Sequence, residues 1–304
     1  MDFDSIEYKR SRVAYMMQCT FEYFVTILVA DAFLAKLLSS LGIGDALIGI
    51  ISSFVTFAFL FQLAAVFFAS KIRNVKRTVI FFSTLSQLLF MCLYLLPFLP
   101  FSQSFSTILV ILCVLTAYFG NYFVASMLYK WGNSFVNPLV RGDFSAKKEI
   151  ISLVSGMIFT LIVGVVLDRY EAMGRLENGF LFTAIAIFIL SACNFVSLIL
   201  IKKSNEKVEE EKEVVPIKEV LRNIFCNKNF RNVIILDCLK KSATYMTAGF
   251  LGIYKTGDLL FSLGTIQIIN IAGNLCRVLV SVPFGKYSDR TSYAKGIKLA
   301  MYLR

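Results

Sequence analysis

Histidine is absent from the 304 residues, which removes the commonest acid/base group and metal ligand. Charge is scarce: 17% of the residues are Asp, Glu, Lys or Arg, against about 25% in soluble domains. The seven cysteines form no Cys-x-x-Cys pair and mostly sit in apolar runs. They read as small hydrophobes, not as a zinc site or a disulfide framework. No Gly-x-x-x-x-Gly-Lys-Ser/Thr loop is present, which disfavours direct ATP use by this chain. No metal, no cofactor and no enzyme active site are expected.

What is there is apolar. Hydrophobic residues make up 57% of the chain, 30 of them Phe, and the mean hydropathy is +0.71. A chain of this kind has too little polar surface to cover a water-soluble globule. A multi-pass, all-α membrane protein in a lipid bilayer is left. The net charge of +11 does not point to nucleic acid, because Lys and Arg cluster between long uncharged runs, as cytoplasmic loops do.

A spanning helix needs roughly 20 mainly apolar residues. Eight spans are predicted near 14–38, 46–70, 78–97, 105–129, 149–167, 179–201, 231–254 and 259–284, with the start of a ninth after Lys295. The opening Met-Asp-Phe-Asp-Ser-Ile-Glu lacks a basic n-region, so no cleavable signal peptide is expected. With the N-terminus inside, the basic clusters near Arg10, Lys76, Lys148, 202–231 and 286–304 all fall on one side. The other side holds Lys36, Arg169, Arg175 and Lys255. That asymmetry predicts a cytoplasmic N-terminus. The organisation expected is a six-helix bundle over 1–201, a cytoplasmic linker over 202–230 and the start of a second bundle over 231–304. Within the linker, Ile217, Val220, Leu221, Ile224 and Phe225 share one face of a short amphipathic helix opened by Pro216.

The second block echoes the first. Span 2 ends on Phe68-Ala69-Ser70-Lys71 and span 8 on Phe284-Gly285-Lys286-Tyr287. The first span of each block carries acids, Glu22 and Asp237. Parallel repeats of this kind are characteristic of secondary transporters, with binding between the halves.

Gly285-Lys286-Tyr287-Ser288-Asp289-Arg290 is similar to the Gly-x-x-x-Asp-Arg loop signature of the major facilitator superfamily. Pro138-Leu139-Val140-Arg141-Gly142-Asp143-Phe144, and Gly156, Gly164 and Asp168 beyond it, also resemble that family. Ser292 stands at the signature's second Gly, and Arg73 replaces the acid in the first copy of the loop. The resemblance implies a major facilitator-type helical bundle, here a six-helix N-terminal half plus about two and a half helices of the C-terminal half. The family plan has twelve spans, so a C-terminal truncation is expected. The resemblance further implies that spans 1, 4 and 7 line a central cavity, which puts Glu22, Tyr118, Tyr122 and Asp237 first. It also implies that Gly285, Asp289 and Arg290 gate the cytoplasmic side from a loop.

Charged groups inside a bilayer are costly and need a reason. Gln18, Glu22 and Thr26 repeat every four residues on one face of span 1, with Glu22 about 12 Å deep. It either faces a cavity, taking up a proton or meeting solute, or is satisfied by a neighbouring helix. Asp31 is expected to pair with Lys36 or to sit at the rim. In span 4, Tyr118, Asn121, Tyr122, Ser126 and Tyr129 suit either a cavity wall for an organic solute or helix packing through hydroxyls. In span 8, Gln267, Asn270, Asn274 and Arg277 form a polar face, and Arg277 lies at a depth that would let it pair with Asp237. Gly156 and Gly164 are expected to serve close helix packing.

The expectation is a secondary active transporter of a small organic solute, working by alternating access in the plasma membrane as a monomer, coupled to protons or a cation. Two other readings stay open: a receptor-like or inactive truncated member of the same fold, and a membrane-embedded enzyme acting on lipid.

Overall fold

Ser5 caps the first helix, its hydroxyl accepting from the Tyr8 N–H, and α1 runs over Ile6–Leu28. Then come α2 (Asp31–Ser40), α3 (Asp45–Phe57), α4 (Val75–Leu95), α5 (Gln103–Asn133), α6 (Arg141–Ala172), α7 (Leu176–Leu200) and α8 (Leu263–Arg290). A 3-10 turn over Leu96–Phe98 follows α4, and a π turn over Tyr254–Asp258 precedes α8. This is a computed structural model that describes residues 5–57, 74–137, 141–202 and 250–290, plus isolated positions between them. Within those runs the side chains at 55–57, 141–143, 146, 277 and 280–290 are not described. Among the described residues every regular element is helical.

Four helices are long and apolar enough to cross a membrane: Val75–Phe98, Gln103–Asn133, Lys147–Ala172 and Leu176–Leu200. They match the expected spans 3 to 6, and all but the C-terminal end of the last run past the expected ends. The expected linker helix at 216–225 and most of span 7 lie outside the described residues.

The polarity is that of a protein solvated by lipid. On α6, Ile151, Val154, Ile158, Ile162 and Val165 form an exposed stripe, while Ser152 and Thr160 are buried. On α7, Ile185, Phe188, Ile189 and Leu200 point out, while Thr183, Ser191, Asn194 and Ser197 are buried. Water would favour the reverse. In lipid, apolar tails solvate the outside and polar groups must find partners within. Asn194 donates to the Ser83 hydroxyl at 3.2 Å, tying α7 to α4.

The bundle has a basic end, where Arg12, Lys76, Lys148 and Lys202 gather, and an opposite, far end. At the basic end Lys76 donates to the Ile199 carbonyl at 2.7 Å, placing a cation on the C-terminal carbonyls of α7. Trp131 donates to the Lys202 carbonyl at 3.0 Å. Lys202 also forms an ion pair with Glu7.

One correction concerns span 1. The sequence reads as a single helix over 14–38, but the helix breaks at Val29 and Ala30. Asp31 restarts it from a left-handed backbone, φ +45°, a conformation Asp tolerates better than most residues. The break frees backbone carbonyls at Leu28 and Val29, which are buried in the core. The Tyr94 hydroxyl donates to Leu28 O, and the Tyr118 hydroxyl donates to Val29 O at 3.0 Å.

A second correction concerns the end of α8. Gly285, Asp289 and Arg290 belong to its last turns, since the helix continues through Arg290. The backbone there is helical where a loop was expected. A single Gly weakens a helix by about 1 kcal/mol and need not end it.

A candidate solute chamber between α1, α6 and α8

The antiparallel packing of α6 against α8 builds the site. At the far end the two helices touch. Asp168 of α6 accepts from the Leu263 N–H at 2.9 Å and the Gly264 N–H at 2.7 Å, one carboxylate oxygen to each. Ser262 accepts from the Thr265 N–H at 3.1 Å. The first three N–H groups of α8 are thereby satisfied, which a helix start otherwise leaves open. One turn further in, a Cβ on Gly164 would lie 3.3 Å from the Leu263 carbonyl carbon and 3.4 Å from Gln267 Cγ. Glycine permits that approach.

Beyond Gly164 the helices part. A cavity of about 380 Å³ opens between α1, α6 and α8. Thr160 and Gly156 face it from α6, Asn270 and Asn274 from α8, and Tyr23 and Ile27 from α1. Gln267 closes it towards the far end. Gly156 keeps α1 and α6 close, since a Cβ there would meet Tyr23 Cε1 at 2.6 Å. Both glycines thus sit at close helix contacts. A larger hollow of about 560 Å³ at the far rim, ringed by Gly174–Asn178, Ser40 and Pro97, lies at the ends of helices and shares no lining residue with the chamber.

Beside the chamber lies a polar cluster centred on Glu22, the residue before Tyr23. Glu22 is half-buried and accepts from the Gln18 amide at 2.6 Å. Asn121 of α5 lies beside the carboxylate, and Lys148 of α6 exerts an electrostatic pull on it. Lys148 lies over the Tyr15 ring, 4.6 Å from its centroid, and donates to the Tyr15 hydroxyl at 3.3 Å. Thr20 and Ser152 link α1 to α6 at 3.0 Å. When this acid takes a proton, Lys148 keeps the Tyr15 hydroxyl and ring as partners, so its charge is not left without contacts.

The other expected residues fall as follows. Asn121 joins Glu22. Thr26 turns its hydroxyl onto the Glu22 carbonyl of its own helix at 2.8 Å. Tyr118 is 1% exposed and belongs to the packed core, not to an open wall. Half-buried Tyr122 stacks on it, with ring centroids 6.2 Å apart. Asp31 pairs with Lys255 at 2.9 Å, not with Lys36, which pairs with Glu171. The expected Asp237–Arg277 pair lies outside the described side chains.

Sequence reasoning placed Lys148 in a loop cluster and passed over Tyr23 and Thr160. The signal for Lys148 was its position just before an uncharged run, where a long side chain can reach along a helix to a partner. Asp168 drew attention only as part of a family pattern, and its role as a cap needed the position of α8.

No curated protein and no solved structure matches the chain. The family model described as Major Facilitator Superfamily matches residues 14–303, and the chain belongs to that superfamily.

Proposed function

We propose that this chain, a multi-pass membrane protein of a family of secondary transporters, moves a small organic solute by alternating access through the α1–α6–α8 chamber. The observation that carries the reading is the shape of the α6–α8 seam. It is closed at one end by Asp168 and Gly164 and opens into a cavity lined by the amides of Asn270 and Asn274 and the Tyr23 ring. A few polar groups among apolar walls bind and orient an organic molecule. The bundle over 1–201 then acts as one half and residues 231–304 begin the other. Asp237 and Arg277 form a charge pair in that second half. The basic end is cytoplasmic, the membrane is the plasma membrane, and the protein acts as a monomer.

Glu22 is the coupling group, taking up a proton or meeting a cation as solute enters. Its neighbours Gln18 and Asn121 can hydrogen-bond either protonation state, and Lys148 supplies the compensating charge.

Proteoliposomes with an imposed pH gradient test this against a panel of labelled organic solutes. At least one solute is expected to accumulate several-fold above empty vesicles, Asn270→Ala to lower that accumulation, and Glu22→Gln to abolish its response to the gradient. Accumulation no higher than in empty vesicles across the panel removes transport. A full gradient response in Glu22→Gln removes the coupling role alone.

A further inference from the structure

The far end holds contacts that a static bundle does not need. Asp168 does not cap its own helix. It reaches across the seam and takes the first two N–H groups of α8. Close by, Lys255 of the π turn donates to Asp31 at 2.9 Å, joining the start of α2 to the segment that leads into α8. Gly252 rests against the same corner, where a Cβ would lie 2.8 Å from the Asp31 carbonyl. Both contacts are made by acids of the first six passes to groups that follow residue 250. Both lie on the far side of the chamber, and among the described residues the Gly164–Gln267 contact stands between Asp168 and the chamber.

We propose that Asp168 is the latch of the far end, a positioning residue that holds the α6–α8 seam shut and whose release opens the chamber to that side, with Asp31–Lys255 as a second clasp. The inference rests on the transport reading above. The chemistry suits a latch with two states. A carboxylate carrying one N–H on each oxygen fits the positive end of a helix in one register only. Parting the helices frees both N–H groups together, and water must enter to satisfy them. The seam is therefore either dry and closed or wet and open. Gly164 and Gly264 set the closing distance, since a Cβ on Gly264 would lie 2.9 Å from an Asp168 oxygen.

Asn270 is the reporter, because it lines the chamber just inside the latch. Asn270→Cys is made in the full chain with the native cysteines changed to serine. A membrane-impermeant sulfonated maleimide is then added to oriented vesicles from either side. In the parent, labelling is expected from the basic side and at least tenfold more slowly from the far side. Asp168→Asn, which is close in shape but turns one acceptor into a donor, is expected to raise the far-side rate at least fivefold. Lys255→Met is expected to raise it less. Arg169→Gln, beside the latch but outside it, is expected to leave it unchanged. If Asp168→Asn does not reach the membrane, Asp168→Ser carries the same test. A membrane-inserted variant at Asp168 with the parent's far-side rate overturns the latch. A parent reporter that is unlabelled from both sides overturns the chamber itself, and with it the transport reading.

Discussion

Tyr118 shows how a residue's neighbours decide its role. Its spacing with Asn121 and Tyr122 suggested the wall of a solute path, and periodicity does place them near one face of α5. Periodicity says nothing about what covers that face. The helix break at Val29 and Ala30 supplies a buried carbonyl, and the Tyr118 hydroxyl goes there. Tyr118→Phe strands that carbonyl in an apolar core and is expected to cost about 1–3 kcal/mol. A thermal melt in detergent measures it, and an unchanged midpoint would contradict the assignment. Glu7 and Lys202 give a prediction in pH. The Lys202 ammonium beside Glu7 holds its carboxyl below the usual 4.5, and the carboxylate in turn raises Lys202 above 10.5. A lowered carboxyl adds stability that is present above 4.5 and is lost as pH falls through the lowered value. The raised amine adds stability that is present below 10.5 and is lost as pH rises through the raised value. Both groups are exposed, so the effect is small. The melting difference between parent and Glu7→Gln is expected to hold level from about pH 5 to 9 and to vanish on acidification. A difference that grows in acid would reverse the sign.

At the scale of elements, α4 to α7 were legible because each contains a long uncharged run bounded by polar residues or Pro97. Composition carries that signal directly. The break between α1 and α2 was not legible. Its residues, Leu28-Val29-Ala30-Asp31, hold neither Gly nor Pro, and the turn is stabilised by tyrosines from α4 and α5, remote in sequence. Asp31 lies in the left-handed region, so the backbone itself can be tested. Asp31→Ala and Asp31→Gly both lose the pair with Lys255, but only alanine carries a Cβ into that conformation. Alanine is expected to be less stable than glycine by about 1–2 kcal/mol. Equal stability of the two variants would show that the turn is not strained there. The seam between α6 and α8 was half legible. Gly164 announced close packing, yet which helix came close, and that Asp168 would meet its end, required the pairing of elements far apart in the chain.

For the whole molecule, the polarity of the outer surface and the direction in which the wet residues turn are the same fact. The sequence established that the chain spans a lipid bilayer and placed Glu22, Asn270 and Asn274 among its few intramembrane polar groups. The structure divides them into two neighbouring clusters, both built on α1 and α6. Glu22 sits with Gln18, Asn121 and Lys148, while Asn270 and Asn274 face Tyr23 and Thr160. Helical faces could be read from spacing, but the sharing of one wall by two clusters depends on how helices pair. Cysteine scanning along α6 with a water-soluble thiol reagent tests the account most directly, comparing Met157 and Thr160 on the chamber side with Val154, Ile158 and Ile162 on the oily side. The account predicts that reagent reaches cysteine at the first two positions at least tenfold faster than at the other three. Equal rates on the two faces, or faster reaction at Ile158 and Ile162, would contradict it.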